Sequence, residues 1–244
     1  MLILLPVLGL AVGSFLGLVS LRWPADQPIV AGRSRCAACE RSLAVWDLVP
    51  VLSYAALGGR CRTCRSPIPI RYPLLELACA GIGLWAAMHH AGPLAMVTAV
   101  FGWALLLIAL IDAEHYWLPD ILTLPLLAAG LLAAVFLAPD RLGDRVLGAV
   151  AGFAFLWALA WAYRRLRHRE GLGGGDPRLF AALGAWVGWN GLPSVLLWGC
   201  LAGLSLVAAK LVLRRSVRAT DRLPFGVLLA IGGWLTWLYG SLGV

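Results

Sequence analysis

The chain has 244 residues, 61% hydrophobic and only 13% charged. A soluble globular domain carries ~25% charged residues, so the charge present cannot coat a soluble surface. That excludes both a single soluble domain and a disordered chain, and it makes an integral membrane protein the expectation. The net charge of +8 raises the question of nucleic acid, but no recognisable nucleic-acid-binding module is present.

In chain order, the apolar runs continue for about twenty residues without alternating, the signature of helices and not of barrel strands. The first run, 1–21, has no charge before Arg22 and lacks the basic start of a cleavable signal peptide. It reads as the first transmembrane helix. A polar segment, 22–72, follows. Later spans are expected near 73–91, 93–111, 121–138, 146–163, 178–191, 194–213 and 224–243. The expected fold is therefore all-α: a polytopic membrane protein with about eight transmembrane helices, a small polar segment at 22–72, and a membrane-embedded domain over 73–244. No internal repeat is evident.

With eight spans, the segments 22–72, 112–120, 164–177 and 214–222 share one side and, with Arg178 at a helix end, hold 17 arginines, while the opposite side has only Arg141 and Arg145. The positive-inside rule assigns the arginine-rich side to the cytoplasm. The basic charge then reads as a topology signal with anionic lipid as its neighbour.

The 22–72 segment is too small to be comfortable on its core alone. Its staple is visible in Cys36-Ala-Ala-Cys39 and Cys61-Arg-Thr-Cys64, with 21 residues between the pairs. Two such knuckles can set four thiolates tetrahedrally around Zn²⁺. The other reading, two disulfides or idle thiols, conflicts with a reducing cytoplasm. Four thiolates leave no open coordination position, so the metal would be structural. Cys79 and Cys200 lie in apolar runs and read as packing residues.

Among the acidic residues, those at span ends carry most information, because charge there is costly. Asp112 follows an unbroken apolar run; Asp176 follows Gly173, Gly174 and Gly175. Both fall on the arginine-rich side and can converge from different helices. A carboxylate pair sharing one proton can activate water and polarise a carbonyl. The glycines offer backbone freedom near Asp176 that would admit a substrate strand. Ion-pair, capping or proton-path roles also fit the two aspartates. Asp120, after Pro119, reads as a helix cap; Glu76, inside a span, as a partner of Arg71 or of a ligand.

These motifs together resemble the prepilin peptidases, the GxGD-type intramembrane aspartic proteases. The resemblance rests on Gly13-Ser-Phe-Leu16 with Arg22-Trp-Pro24, and on the two knuckles with Ile70-Arg-Tyr-Pro73 and Glu76-Leu77. It continues through Ile111-Asp112, Leu118-Pro-Asp-Ile-Leu-Thr-Leu-Pro-Leu126, Glu170-Gly-Leu-Gly-Gly-Gly-Asp176 with Arg178, and Leu223-Pro-Phe-Gly226. It implies a bacterial inner-membrane enzyme that removes the basic leader of type IV prepilins or type II secretion pseudopilins at a Gly–Phe-type junction on the cytoplasmic side. Asp112 and Asp176 match the catalytic pair. N-methylation of the new terminus with S-adenosylmethionine is also implied, associated with the 22–72 segment. This chain departs from the family pattern at Gly17, where Asn is usual, and at Ala37, where Pro is usual. The first knuckle lacks the usual His after its second Cys. Arg178 stands for Lys, and Val227 for Pro. The competing classes are a carboxylate-based transporter and a non-enzymatic assembly factor.

Overall fold

The computed structural model describes residues 1–25, 27–29, 34–168, 172–213 and 223–242. The whole of the expected basic loop 214–222, and Glu170 and Gly171 of the glycine motif, lie outside the described residues. Nine helices run in the order α1 (Leu4–Arg22), α2 (Leu52–Ala56), α3 (Arg71–His89), α4 (Gly92–His115), α5 (Asp120–Leu137), α6 (Leu142–Arg167), α7 (Asp176–Val187), α8 (Leu192–Val212) and α9 (Phe225–Tyr239) among the described residues. No strand is formed among them beyond two isolated bridges. The all-α expectation is met.

Among the described residues five helices are long and apolar enough to cross a membrane: α1, α4, α5, α6 and α8. Their outward side chains, such as Phe136 at 78% exposure, form the surface a bilayer would cover. The three other expected spans coincide with α3, α7 and α9. Helix α3 has 19 residues but carries Arg71 and Glu76. Helices α7 and α9 have 12 and 15 residues, shorter than the ~20 that a ~30 Å hydrocarbon core requires.

The chain forms two compact units, Met1–Trp103 and Ala104–Val244, divided within α4. In the first, α1 and α3 pack antiparallel at very close range. A Cβ at Gly9 would lie 2.4 Å from the Cys79 carbonyl oxygen, and one at Gly13 would lie 2.5 Å from Glu76 Cα. Small residues four apart let two membrane helices approach this closely. Arg71 Nη2 donates to Ser20 Oγ at 2.7 Å, and Trp103 Nε1 to the Cys79 carbonyl at 2.8 Å. Cys79 is fully buried, as its apolar reading required.

In the second unit α7 is the buried centre, with every residue from Leu179 to Trp186 inside. It packs against α5, α6 and α9. The contact with α6 needs bare backbone, since a Cβ at Gly184 would stand 2.2 Å from the Gly148 oxygen. Trp186 Nε1 reaches across to the Leu126 carbonyl of α5 at 2.8 Å.

Candidate active site and candidate metal centre

In the second unit the site grows from three helix ends. Asp112 sits one turn from the end of α4, Asp176 opens α7, and α9 begins at Phe225. Both carboxyl groups are buried, each residue 5% exposed. Asp112 Oδ2 accepts the Val227 N–H at 3.0 Å, in the first turn of α9, with the Gly226 N–H also directed at the carboxyl, and Asp176 Oδ2 accepts the Gly173 N–H at 2.8 Å. A helix N-terminus with its free N–H groups is a favourable place for a carboxylate.

Leu118 ties the two halves together. A Cβ at Gly175 would fall 2.5 Å from Leu118 Cβ, and one at Gly226 would fall 3.0 Å from Leu118 Cδ2 and 2.8 Å from Asp112 Oδ2. The aspartates, 64 residues apart in sequence, thus approach one buried leucine, and Asp112 acts electrostatically on Asp176. Asp176 precedes the apolar run of α7 and lies outside the five membrane-length helices. Burial pushes its carboxyl up to about 6; the Gly173 N–H opposes that rise and the Asp112 charge adds to it.

The three glycines work differently from the expectation. None has φ in the left-handed region. Gly173 supplies a donor, Gly175 supplies the close approach to Leu118, and only Gly174 has open space where a side chain would stand. Asp120 is also different: it occupies the first turn of α5, with Pro119 as the cap residue, and pairs with Arg178 of α7. That partly exposed pair joins the starts of α5 and α7, two residues from Asp176. Leu118, Gly226 and Val227 were not singled out as site residues from the sequence. Leu118 and Gly226 were signalled only by position inside the LPD and LPFG motifs, and Val227 only as the residue standing where Pro is usual.

In the first unit the four knuckle thiols come together, with the sulfur atoms of Cys36, Cys39, Cys61 and Cys64 all within 4.8 Å of one another. Cys36 and Cys64 Sγ are 3.8 Å apart, well beyond the ~2.05 Å of a disulfide. A tetrahedron with metal–sulfur bonds of ~2.3 Å has edges of about 3.8 Å, so the spacing fits a metal ion. Backbone N–H groups of Cys39 and Ala38, helped by the Ser66 hydroxyl, bring the Cys36 thiol down to about 6.

The knuckles are one backbone unit used twice. The Cys36 N–H donates to the Arg41 carbonyl and the Glu40 N–H to the Cys36 carbonyl; 25 residues later the Cys61 N–H donates to Ser66 and the Arg65 N–H to Cys61. Bridges Arg35–Ser42 and Arg60–Pro67 close both loops, and Glu40 and Arg65 share positive φ, 55° and 59°. The repeat is one of hydrogen bonding, which the differing side chains concealed. Asp47 braces the pair. Its carboxylate, side chain 3% exposed, takes Arg41 at 2.5 Å and Arg62 at 2.9 Å, one from each knuckle region. Burial alone would raise the Asp47 carboxyl; hydrogen bonds from Arg62, the Ala44 N–H and Arg41 outweigh it and hold the group below its ordinary range.

Glu76 is buried at 6% exposure and accepts the Val51 N–H at 2.7 Å. Val51 has φ 60°, a conformation a β-branched residue resists. Glu76, Tyr54, Tyr72, Asp47 and Arg22 line a cavity of about 440 Å³ between the knuckles and the facing ends of α1 and α3. Gly17 lies under this wall, with the Tyr72 ring 3.3 Å from where its Cβ would be. A larger side chain there would have to displace the ring.

An all-helical, multi-pass membrane protein with two converging buried carboxylates and a separate thiol cluster is the class these observations define. The chain belongs to the type IV leader peptidase family, a family of bacterial membrane proteases: that family's sequence profile matches residues 99–208, and the bacterial peptidase A24 N-terminal domain matches residues 7–90. A protein of Burkholderia pseudomallei (strain 1026b) is 43% identical over 262 residues, covering 96% of this chain and 84% of the relative. One of Pseudomonas aeruginosa is 39% identical over 263 residues, covering 96% and 89%. One of Aeromonas hydrophila is 42% identical over 220 residues, covering 88% and 76%. All three carry the name prepilin leader peptidase/N-methyltransferase. No solved structure gave a significant match.

Proposed function

We propose that this protein removes the leader of type IV prepilins or pseudopilins with Asp112 and Asp176 as its catalytic pair. The observation that carries the assignment is the meeting of two buried carboxyls around Leu118, each accepting backbone N–H. Two neighbouring buried carboxylates do not both ionise readily, so the pair holds one proton and titrates as a unit. The ionised member takes a proton from water as its oxygen attacks the scissile carbonyl carbon. The protonated member hydrogen-bonds the carbonyl oxygen. The carbon–nitrogen bond then breaks and the leaving amine takes a proton from the pair. The open space at Gly174 is where a substrate strand would pass. The site lies at helix ends, where a pilin's apolar helix in the bilayer meets its leader outside it. The arginine count supports an inner-membrane enzyme with this edge facing the cytoplasm, and the Gly–Phe junction follows from the family resemblance.

Zinc is the metal that suits four cysteine thiolates. It is structural, because Cys36, Cys39, Cys61 and Cys64 complete its coordination. Methylation of the new N-terminus is a second activity, favoured by the cavity beside the knuckles. Its volume suits a small-molecule site. Tyr54 and Tyr72 offer rings for the adenine of S-adenosylmethionine, and Glu76 offers a carboxyl for its sulfonium. The donor supplies the methyl group when bound; the chain's part is to hold it and to bring the amine to it.

The test is to mix purified full-length protein with a type IV prepilin and S-adenosylmethionine and weigh the products intact. Loss of the leader mass is expected, with one methyl added to the mature chain. Intact prepilin from several sources, after incubation with folded enzyme, would overturn the peptidase reading. Cleavage without methyl mass would remove only the second activity.

A further inference from the structure

Arg145 is a charged residue inside a membrane-length helix, α6, and only 8% of it is exposed. Burying a charge there is expensive and usually marks a function. On sequence Arg145 counted only as one of two arginines on the charge-poor side. In the structure its guanidinium reaches the far end of α7. Nη1 donates to the carbonyls of Trp186 and, at 3.4 Å, Ala185. Its Cζ stands 5.1 Å from the centre of the Trp237 ring of α9, and that ring meets Trp186 edge-on at 5.3 Å.

Those two carbonyls belong to the last turn of α7, where no intrahelical donor is available. A fixed cation there also complements the helix dipole. The neighbouring Asp144 completes the clamp: its Oδ1 accepts the Trp189 N–H at 3.3 Å, beyond the turn at Gly188, whose φ is 77°. Asp176 is the first residue of the same helix, about 15 Å away at 1.5 Å per residue. Close backbone contact at Gly148–Gly184 fixes α7 sideways. Along its own axis the helix is held by this clamp together with Trp186 Nε1 on the Leu126 carbonyl and the Arg178–Asp120 pair.

We propose that Arg145 is a positioning residue for Asp176, holding α7 from its opposite end so that the carboxyl stays in register with Asp112. The proposal rests on Asp176 belonging to the catalytic pair. Small displacements of a catalytic group are costly, on the order of a hundredfold for about 1 Å. A lysine keeps the charge and one donor nitrogen but loses the flat guanidinium that lies over the Trp237 ring; a glutamine loses the charge as well.

The test measures prepilin cleavage by full-length R145K and R145Q over a range of substrate concentrations, normalised to folded protein. D176A serves as the control. The expected order in kcat is wild type, then R145K lower by about threefold to tenfold, then R145Q lower still, with KM within twofold throughout. A merely structural role would reduce the amount of folded enzyme and leave kcat per folded molecule unchanged. A wild-type kcat in R145K, or an effect confined to KM, overturns the proposal. If R145Q does not fold, R145K alone decides by the same criterion. An active D176A would instead remove the catalytic reading on which the proposal stands.

Discussion

The two units hold their sites by opposite means. The knuckle site of the first is local: each Cys-x-x-Cys loop closes its own hydrogen bonds within eight residues, and one buried carboxylate, Asp47, braces the two. The aspartate site of the second is assembled at long range. Asp112 takes an N–H from a residue 115 positions later, and α7 is placed by bare backbone against its neighbours. A metal cluster tolerates loose surroundings because the ion supplies folding energy. A carboxyl pair drawn from distant parts of the chain needs a packed frame to keep its two members close.

The comparison is broken most sharply by removing the metal ligand. C61S should abolish stoichiometric zinc, read by elemental analysis, and open residues 34–70 to protease. Prepilin cleavage should stay within about threefold of wild type, because the second unit has its own core. Zinc retained in C61S would refute the four-thiolate site.

G226A probes the packed frame. Alanine favours a helix over glycine by about 1 kcal/mol, yet its Cβ would press on Asp112 Oδ2 at 2.8 Å. Thermal stability should hold while kcat falls by about a hundredfold; wild-type cleavage would show that the Asp112 position is not critical. V227P is gentler. Proline is tolerated in a helix's first turn but has no N–H; it is the usual family residue here, and the Gly226 N–H still reaches Asp112. The expected change in kcat is within about threefold, with V227A, which keeps the N–H, near wild type; a loss of tenfold or more in V227P alone would show that the Val227 donor is essential. The smallest effect concerns pH. The pair works with one proton, and burial raises Asp176 to about 6. The alkaline limb of the kcat profile, where that last proton leaves, should therefore lie near pH 6 or above; a limb near pH 4, where an isolated carboxyl titrates, would contradict the buried pair.

Legibility followed the same division. The knuckles could be read because their ligands lie three residues apart and their chemistry is specific. Asp112 and Asp176 were readable as charges ending apolar runs, and their pairing drew on motif order. Leu118, Val227 and Arg145 were not readable, since a leucine in a motif, a backbone N–H and a span-end arginine acquire meaning only from what packs against them. Asp47 was hidden for the same reason. The glycines of the 173–175 run suggested backbone freedom, whereas the fold uses them for a donor and for proximity. Among the described residues five helices have the length and apolarity expected of spans; α7 is shorter because it is enclosed by other helices.

The most direct measurement is intact-mass analysis of a prepilin incubated with D112N and, separately, with D176N, each shown to be folded. The catalytic pair predicts that both leave the leader attached under conditions where wild type completes cleavage, a loss of at least about a thousandfold. Cleavage by either variant near the wild-type rate would contradict it.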